Sequence, residues 1–225
     1  MLWINQVFRS TVGTKAVMAV TGVILFGFVF VHMVGNLKLY ESAEIMNEYG
    51  HFLRTLGEPA VPHGTVLWAA RLALLAAVVL HIGSAWRLTL LSRSARPVAY
   101  AASPKRHTPY AARTMRWGGV ILLLFIVYHL LHFTTGQAHP DFVAGEPYHN
   151  AVVGFRVWWV AAVYVVAQLA LGLHLYHGVW SFFQSLGINH PRYNAWRKGF
   201  AHAFAWIVTL GNVSFPVAVL TGLVR

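Results

Sequence analysis

The chain has 225 residues, of which 57% are hydrophobic and 10% charged, with a formal charge of +11 and no cysteine. A water-soluble domain is nearer a quarter charged, so this composition excludes an ordinary soluble fold. The basic excess therefore reads as membrane topology and attraction to anionic lipid rather than as nucleic-acid binding, and without cysteine the chain has no disulfide, iron–sulfur ligation or zinc–thiolate site of its own.

Residues 1–13 read as a short amphipathic lead-in carrying Arg9, and Lys15 marks the first entry to the membrane. Span 1 covers about 15–37. Its apolar run is longer than the roughly 7–15 residues of a signal-peptide core and no A-x-A site follows, so it is expected to be a retained helix. A polar segment from Lys38 to His63 follows, with Glu41, Glu44, Glu48 and Glu58, and its middle, 42–56, suits a short interfacial helix. Pro59, Pro62 and Gly64 break the chain before span 2, about 65–91.

The loop 92–113 is rich in Arg, Lys, Pro and Ser. Span 3 covers about 115–135, opened by Arg116 and closed by Thr134, Thr135 and Gly136. A second polar loop, 137–153, holds Asp141 and Glu146. Span 4 covers about 155–184, long enough to tilt. A basic connector, 185–198, leads to span 5, about 199–223, where Pro216 predicts a kink. The pattern predicts an all-α integral membrane protein, a single domain over 1–225 folded as a five-helix transmembrane bundle.

Five spans place the termini on opposite sides. One side carries Arg9, Lys15, Arg87, Arg93, Arg96, Lys105, Arg106, Arg113, Arg116, Arg192, Arg197 and Lys198, twelve of the seventeen basic residues. By the positive-inside rule that side, with the N-terminus, is cytoplasmic. All six acidic residues lie in the two loops opposite, which leaves no carboxylate within a span. A carboxylate proton relay through the bilayer centre is thus not visible.

Four spans carry histidine: His32, then His81, then His129 and His132, then His174 and His177. Imidazole is costly in hydrocarbon unless something binds it. His32 lies 17 residues past Lys15 and His129 lies 13 past Arg116, depths of ~25 and ~20 Å at ~1.5 Å per residue. Both fall in the outer half. His81 and His174 come late in inward-running spans, in the inner half. Two imidazoles from different helices at one depth can clamp a haem iron from opposite faces, in a slot between apolar helices. Gly22, Gly27, Gly35, Gly83, Gly118, Gly119, Gly172 and Gly178 would let a flat macrocycle in.

A lone intramembrane histidine is as readily explained by a hydrogen bond to a neighbouring helix or by a water cavity. Four on separate helices, sorting into two depths, favour the metal-centre reading. Zinc is disfavoured, since no carboxylate or thiolate accompanies the imidazoles. His132 and His177 sit i+3 from His129 and His174 on the same helix faces, so spacing does not choose between them. His51, His63, His139 and His149 read as outer surface residues, His107 and His190 as inner ones, and His202 as interfacial. The tryptophans at span ends, Trp68 and Trp86 among them, read as an interfacial belt. Arg156, Arg87, Arg113 and Arg116 are candidates either for interfacial anchoring or for haem propionates.

Three segments carry a resemblance: Thr21-Gly22 with His32-Met33-Val34-Gly35-Asn36 ten residues on; Arg116-Trp117-Gly118-Gly119 with His129 ten residues after Gly119; and His174-Leu175-Tyr176-His177-Gly178-Val179-Trp180-Ser181-Phe182, leading to Leu186-Gly187-Ile188. On these the chain resembles the di-haem cytochrome b subunit of succinate dehydrogenase and fumarate reductase, of the cytochrome b558 type, across essentially its whole length. The resemblance implies His32 with His129 as axial ligands of an outer haem b, and His81 with His174 of an inner one. It selects His129 over His132 and His174 over His177. Gly172 stands where some members carry an acid.

The resemblance also implies a complex II membrane anchor in the cell inner membrane. A flavoprotein subunit and an iron–sulfur subunit would deliver electrons from succinate through two haems to a quinone, usually menaquinone in this class. The loop 92–113 and the connector 185–198 are expected to dock the iron–sulfur subunit, and the quinone is expected near Trp68 and His132. The competing readings are a di-haem anchor of a hydrogenase or formate dehydrogenase, and a non-redox anchor or transporter.

Overall fold

The computed structural model describes residues 10–95 and 110–225, with side chains of the second segment described from 114. Within them seven α-helices and no strand are present, and five helices are long and apolar enough to cross a bilayer. The protein is thus an all-helical, multi-pass membrane protein. The lead-in up to residue 9 and most of the loop 92–113, with Arg96, Lys105, Arg106 and His107, lie outside the described residues, as does the side chain of Arg113.

Helix α1 (Thr11–Asn36) starts where the Ser10 side chain accepts the Gly13 N–H, a donor the first turn leaves without a helical partner. It begins before Lys15, so part of the expected lead-in is already helix. It runs into a 3₁₀ turn, Leu37–Tyr40, and then α2 (Ala43–Thr55), capped by Ser42. This is the expected interfacial helix. Gly64, at φ 75°, supplies the left-handed turn that opens α3 (Thr65–Ser94). Helix α4 (Tyr110–Phe133) ends ahead of Gly136, φ 76°.

Two sequence expectations are corrected. Span 4 does not begin within a loop that ends at 153. Pro147 starts a separate amphipathic helix, α5 (Pro147–Arg156), whose Asn150, Ala151, Val152, Gly154 and Phe155 are buried. The extended backbone of Val157 (φ −79°, ψ 106°) breaks it from α6 (Trp158–Ser185). Proline at a first helical position needs no partner for its missing N–H, which is why Pro147 opens a helix rather than a loop. Second, the basic connector is shorter than expected. Helix α7 (Pro191–Leu220) starts at Pro191, with the His190 ring accepting the Arg192 N–H, so Arg192, Arg197 and Lys198 ride on its first two turns. Their polarity masked a helix start that their long side chains tolerate at an interface. Pro216, expected to kink the span, is buried inside α7, which continues to Leu220.

Helices α6 and α7 form the closest seam, α1 lies across both, and α3 packs on α1 while α4 packs on α6. Among the described residues no comparable seam joins α3 to α4. Phe26 of α1 stacks on Phe204 of α7 at 3.9 Å and meets Phe182 of α6 edge-on at 6.2 Å. Gly211 lets Met33 lie against α7, and Gly172 lets Thr209 lie against α6, where any Cβ would collide. That contact gives a packing reason for glycine at 172.

Candidate functional site: two histidine pairs at two depths

Four helices each contribute one histidine, His32 exposed and His81, His129 and His174 half-buried, and the structure brings them together in the two pairs that the depth argument expected. His32 of α1 and His129 of α4 have ring centres 5.9 Å apart with planes at 84°. His81 of α3 and His174 of α6 have ring centres 6.3 Å apart with planes at 60°. A first-row metal lies about 2 Å from an imidazole nitrogen, and that nitrogen lies about 1 Å from its ring centre, so two rings on one metal have centres about 6 Å apart. Both pairs have that spacing. Rotation about the common axis is free, so neither interplanar angle conflicts with it. His81 contacts α1 at Met18 and Thr21, and His32 is 11 residues beyond Thr21, which sets the two depths ~16 Å apart.

The surroundings of His81 decide its tautomer. Its Nδ1 faces the Met18 carbonyl at 3.2 Å and the Thr21 hydroxyl oxygen at 3.3 Å. The Thr21 hydroxyl donates to the Val17 carbonyl at 2.7 Å. A carbonyl only accepts, so the Nδ1 carries the proton and Nε2 keeps its lone pair. A metal-ligating imidazole needs that arrangement, with the second nitrogen donating to a carbonyl. Gly22 of α1 borders the ring, where a Cβ would lie 3.4 Å from His81 Cε1, in ordinary contact. The Nδ1 of His174 is buried with no partner among the described residues.

At the other pair, Tyr164 of α6 places its hydroxyl 3.2 Å from His129 Nδ1 and 3.0 Å from His132 Nδ1. The Asn36 amide lies 3.4 Å from His32 Nε2, at the outer limit of a hydrogen bond. Packing separates the i+3 neighbours. His129 faces His32, whereas His132 is wholly buried, stacked 4.7 Å from His139 and turned toward Tyr164. His174 faces His81, and His177 is half-buried.

His139 corrects the surface reading. Its Nε2–H donates to the Asn150 carbonyl at 2.8 Å and its Nδ1 accepts the Asp141 N–H at 3.0 Å. Gly154 makes room for it, since a Cβ there would come within 2.8 Å of His132 Cε1 and 3.0 Å of His139 Nε2. Sequence reasoning missed this His132–His139–Tyr164 group because its members come from three elements. The half-buried His149 of α5 pairs with Asp141, His63 pairs with Glu58 in an exposed loop, and His51 is exposed on α2. His202 is exposed, with its ring centre 4.1 Å from that of Tyr176 and the planes tilted by 34°.

Open volume lies beside the pairs. A cavity of about 260 Å³ is lined by Thr114, Met115, Trp117, Gly118, Ile121, Ala170, Leu173 and His174, and an apolar groove of about 460 Å³ runs between α4 and α6 past Phe125 and Tyr128. Gly27, Gly83, Gly118, Gly119 and Gly178 have nothing within 4 Å of where a Cβ would stand. Among the described residues no three His, Asp or Glu side chains gather as a bare metal-ion site, so the arrangement is one of pairs. Such pairs suit a planar macrocycle that supplies the remaining ligands itself. The expected quinone residues are not brought into one pocket of this kind: Trp68 is exposed on α3 under the Arg71 guanidinium, and His132 is enclosed. Arg116 and Arg156 are exposed at helix ends.

No family model, no curated protein and no solved structure matches this chain.

Proposed function

We propose that the chain is the membrane anchor and di-haem cytochrome b subunit of a succinate:quinone oxidoreductase. The observation that carries the reading is the two histidine pairs at ligand spacing, one at each depth of a four-helix cluster. His81 and His174 would hold the inner haem b, and His32 and His129 the outer one. Haem, when bound, supplies one-electron redox chemistry.

The chain's own groups do the rest. The Met18 carbonyl and Thr21 hold the His81 ring with its Nε2 free, and the Tyr164 hydroxyl orients His129. Two protein ligands per iron leave no open coordination position, which suits electron carriage rather than oxygen binding. The exposed apolar faces of α3 and α4 exclude water from the pairs when lipid covers them.

The flavoprotein and iron–sulfur subunits would sit at the basic end, taken as cytoplasmic with the N-terminus, in the cell inner membrane. Quinone, menaquinone in the di-haem class, would accept the electrons. These assignments rest on the resemblance and the charge asymmetry.

The test is haem b content per chain of the purified protein, with a reduced-minus-oxidised spectrum and identification of co-purifying subunits. Two haems per chain with flavin and iron–sulfur partners are expected. A folded, haem-free protein from haem-replete cells would sink the electron-transfer reading. Two haems with hydrogenase or formate dehydrogenase subunits would retain the cytochrome and replace the partner.

A further inference from the structure

The start of α7 buries a charge that nothing in this chain neutralises. Arg197 is 1% exposed. A guanidinium stays protonated, and a buried charge without a counter-charge is costly. Its Nη1 donates to the Ile188 carbonyl and, at 3.4 Å, to Asn189 Oδ1, and its plane lies 4.3 Å from the Trp180 ring. All three partners are neutral. Among the described residues Nε and Nη2 have no acceptor, and Oδ1 of Asn194, one turn earlier on α7, has no donor.

The missing anion cannot come from another side chain of this protein. Its six carboxylates, Glu41, Glu44, Glu48, Glu58, Asp141 and Glu146, all lie in the connections at the opposite end of the bundle. The carbonyls at the end of α6 offer only partial charge. A second cation converges on the same place: the exposed Lys198 puts its Nζ 5.4 Å from the Trp180 ring.

We propose that this end of the α6–α7 seam binds the headgroup of an anionic phospholipid. Lys198 is the outer contact to the phosphate, Arg197 the inner one, and the Asn194 amide takes a headgroup hydroxyl. The aromatic flank favours lipid over a carboxylate of the subunits proposed at this end. Tyr193 (52% exposed) and Trp196 (62% exposed) flank the site, and such side chains lie at headgroup level. Basic pockets between helices at this level suit anionic headgroups. The inference does not depend on haem.

The experiment is native mass spectrometry of the purified, delipidated protein, with whatever subunits it retains, titrated with phosphatidylglycerol, phosphatidylcholine or inorganic phosphate. One phosphatidylglycerol per chain is expected to survive activation that strips phosphatidylcholine, and to raise the thermal midpoint. Arg197→Gln and, separately, Lys198→Gln are expected to weaken its retention by about tenfold. Lys198 is exposed, so its variant keeps the test decisive if Arg197→Gln fails to fold. Equal retention of both lipids, or retention unchanged in Lys198→Gln, overturns the proposal. So does stabilisation by inorganic phosphate equal to that by phosphatidylglycerol, which would make this a free-anion site. Loss of haem from Arg197→Gln with lipid retention intact would likewise overturn it, assigning the guanidinium to a propionate.

Discussion

Helices α6 and α7 meet through small residues and edge-on aromatic contacts of Phe183 with Trp196 and Phe200, whereas among the described residues no seam joins α3 to α4. In the most apolar 18-residue stretch of each helix, the buried share is 44% in α7 and 33% in α6, against 6% in α3 and 0% in α4. The apolar residues are not lacking on the open side: Leu72, Leu75 and Val79 of α3 and Leu124 of α4 are among the most exposed. Lipid is as apolar as leucine, so burial does not drive helices together in a membrane; close packing and polar contacts do. The α6–α7 side has the small residues for close packing. The open side has histidines instead, His81 and His129, each reaching a partner on another helix. The contrast teaches that one side of the bundle is held by its own packing and the other is organised around the imidazole pairs.

The largest effect expected from breaking this contrast comes from the pairs. On the proposed di-haem reading, His81→Ala or His174→Ala should remove one of two haems per chain, read by haem assay, and leave the haem proposed for His32 and His129 in place. His177→Ala should remove neither; loss of haem in that variant would reassign the ligand on α6.

Glycine substitutions separate the two sides. Gly118→Leu would fill the cavity beside His174, and nothing lies within 4 Å of its Cβ position. It should therefore lower haem content while leaving the helical content of the haem-free protein unchanged. Gly172→Leu would drive a side chain into Thr209, and should lower the thermal midpoint by the equivalent of ~1–3 kcal/mol with or without haem. The same response from both variants would remove the distinction between the sides.

The absence of native cysteine permits a direct map of the surface. Leu124→Cys, 66% exposed, should react with a bilayer-soluble maleimide, and Val208→Cys, fully buried, should not. Protection of Leu124→Cys would mean that protein rather than lipid covers α4.

The smallest effect is expected from a single hydroxyl. Tyr164→Phe removes the contact to His129 Nδ1 and should shift the potential of the outer haem by on the order of tens of mV, leaving the inner one unmoved. A redox titration in which neither potential moves would reduce Tyr164 to a packing role.

Much of the architecture was legible before folding. The five spans, the interfacial helix at 42–56 and the sorting of histidines by depth all follow from hydropathy and rise per residue. The errors have local causes. Pro147 and Pro191 fall in segments read as a loop and a connector although proline also opens helices, and the charges on the first turns of α7 hid its start. His139 read as a surface residue because its burial depends on Gly154 and Asn150, which reach it only after α5 folds against the end of α4.

The sequence by itself determined that five segments are long and apolar enough to cross a membrane, that twelve of the seventeen basic residues sit at the end opposite the six acidic ones, and that four of the spans carry histidine at two depths. These are properties of composition and of position along a helix. Only the tertiary structure decided that His129 rather than His132 faces His32, and that His81 keeps Nε2 free because its Nδ1–H donates to the Met18 carbonyl. It alone left the Arg197 guanidinium without an anion. The physical reason is that helical periodicity places a residue on a face and at a depth, but rotation about the helix axis and the partner met across the gap are set by how neighbouring helices pack.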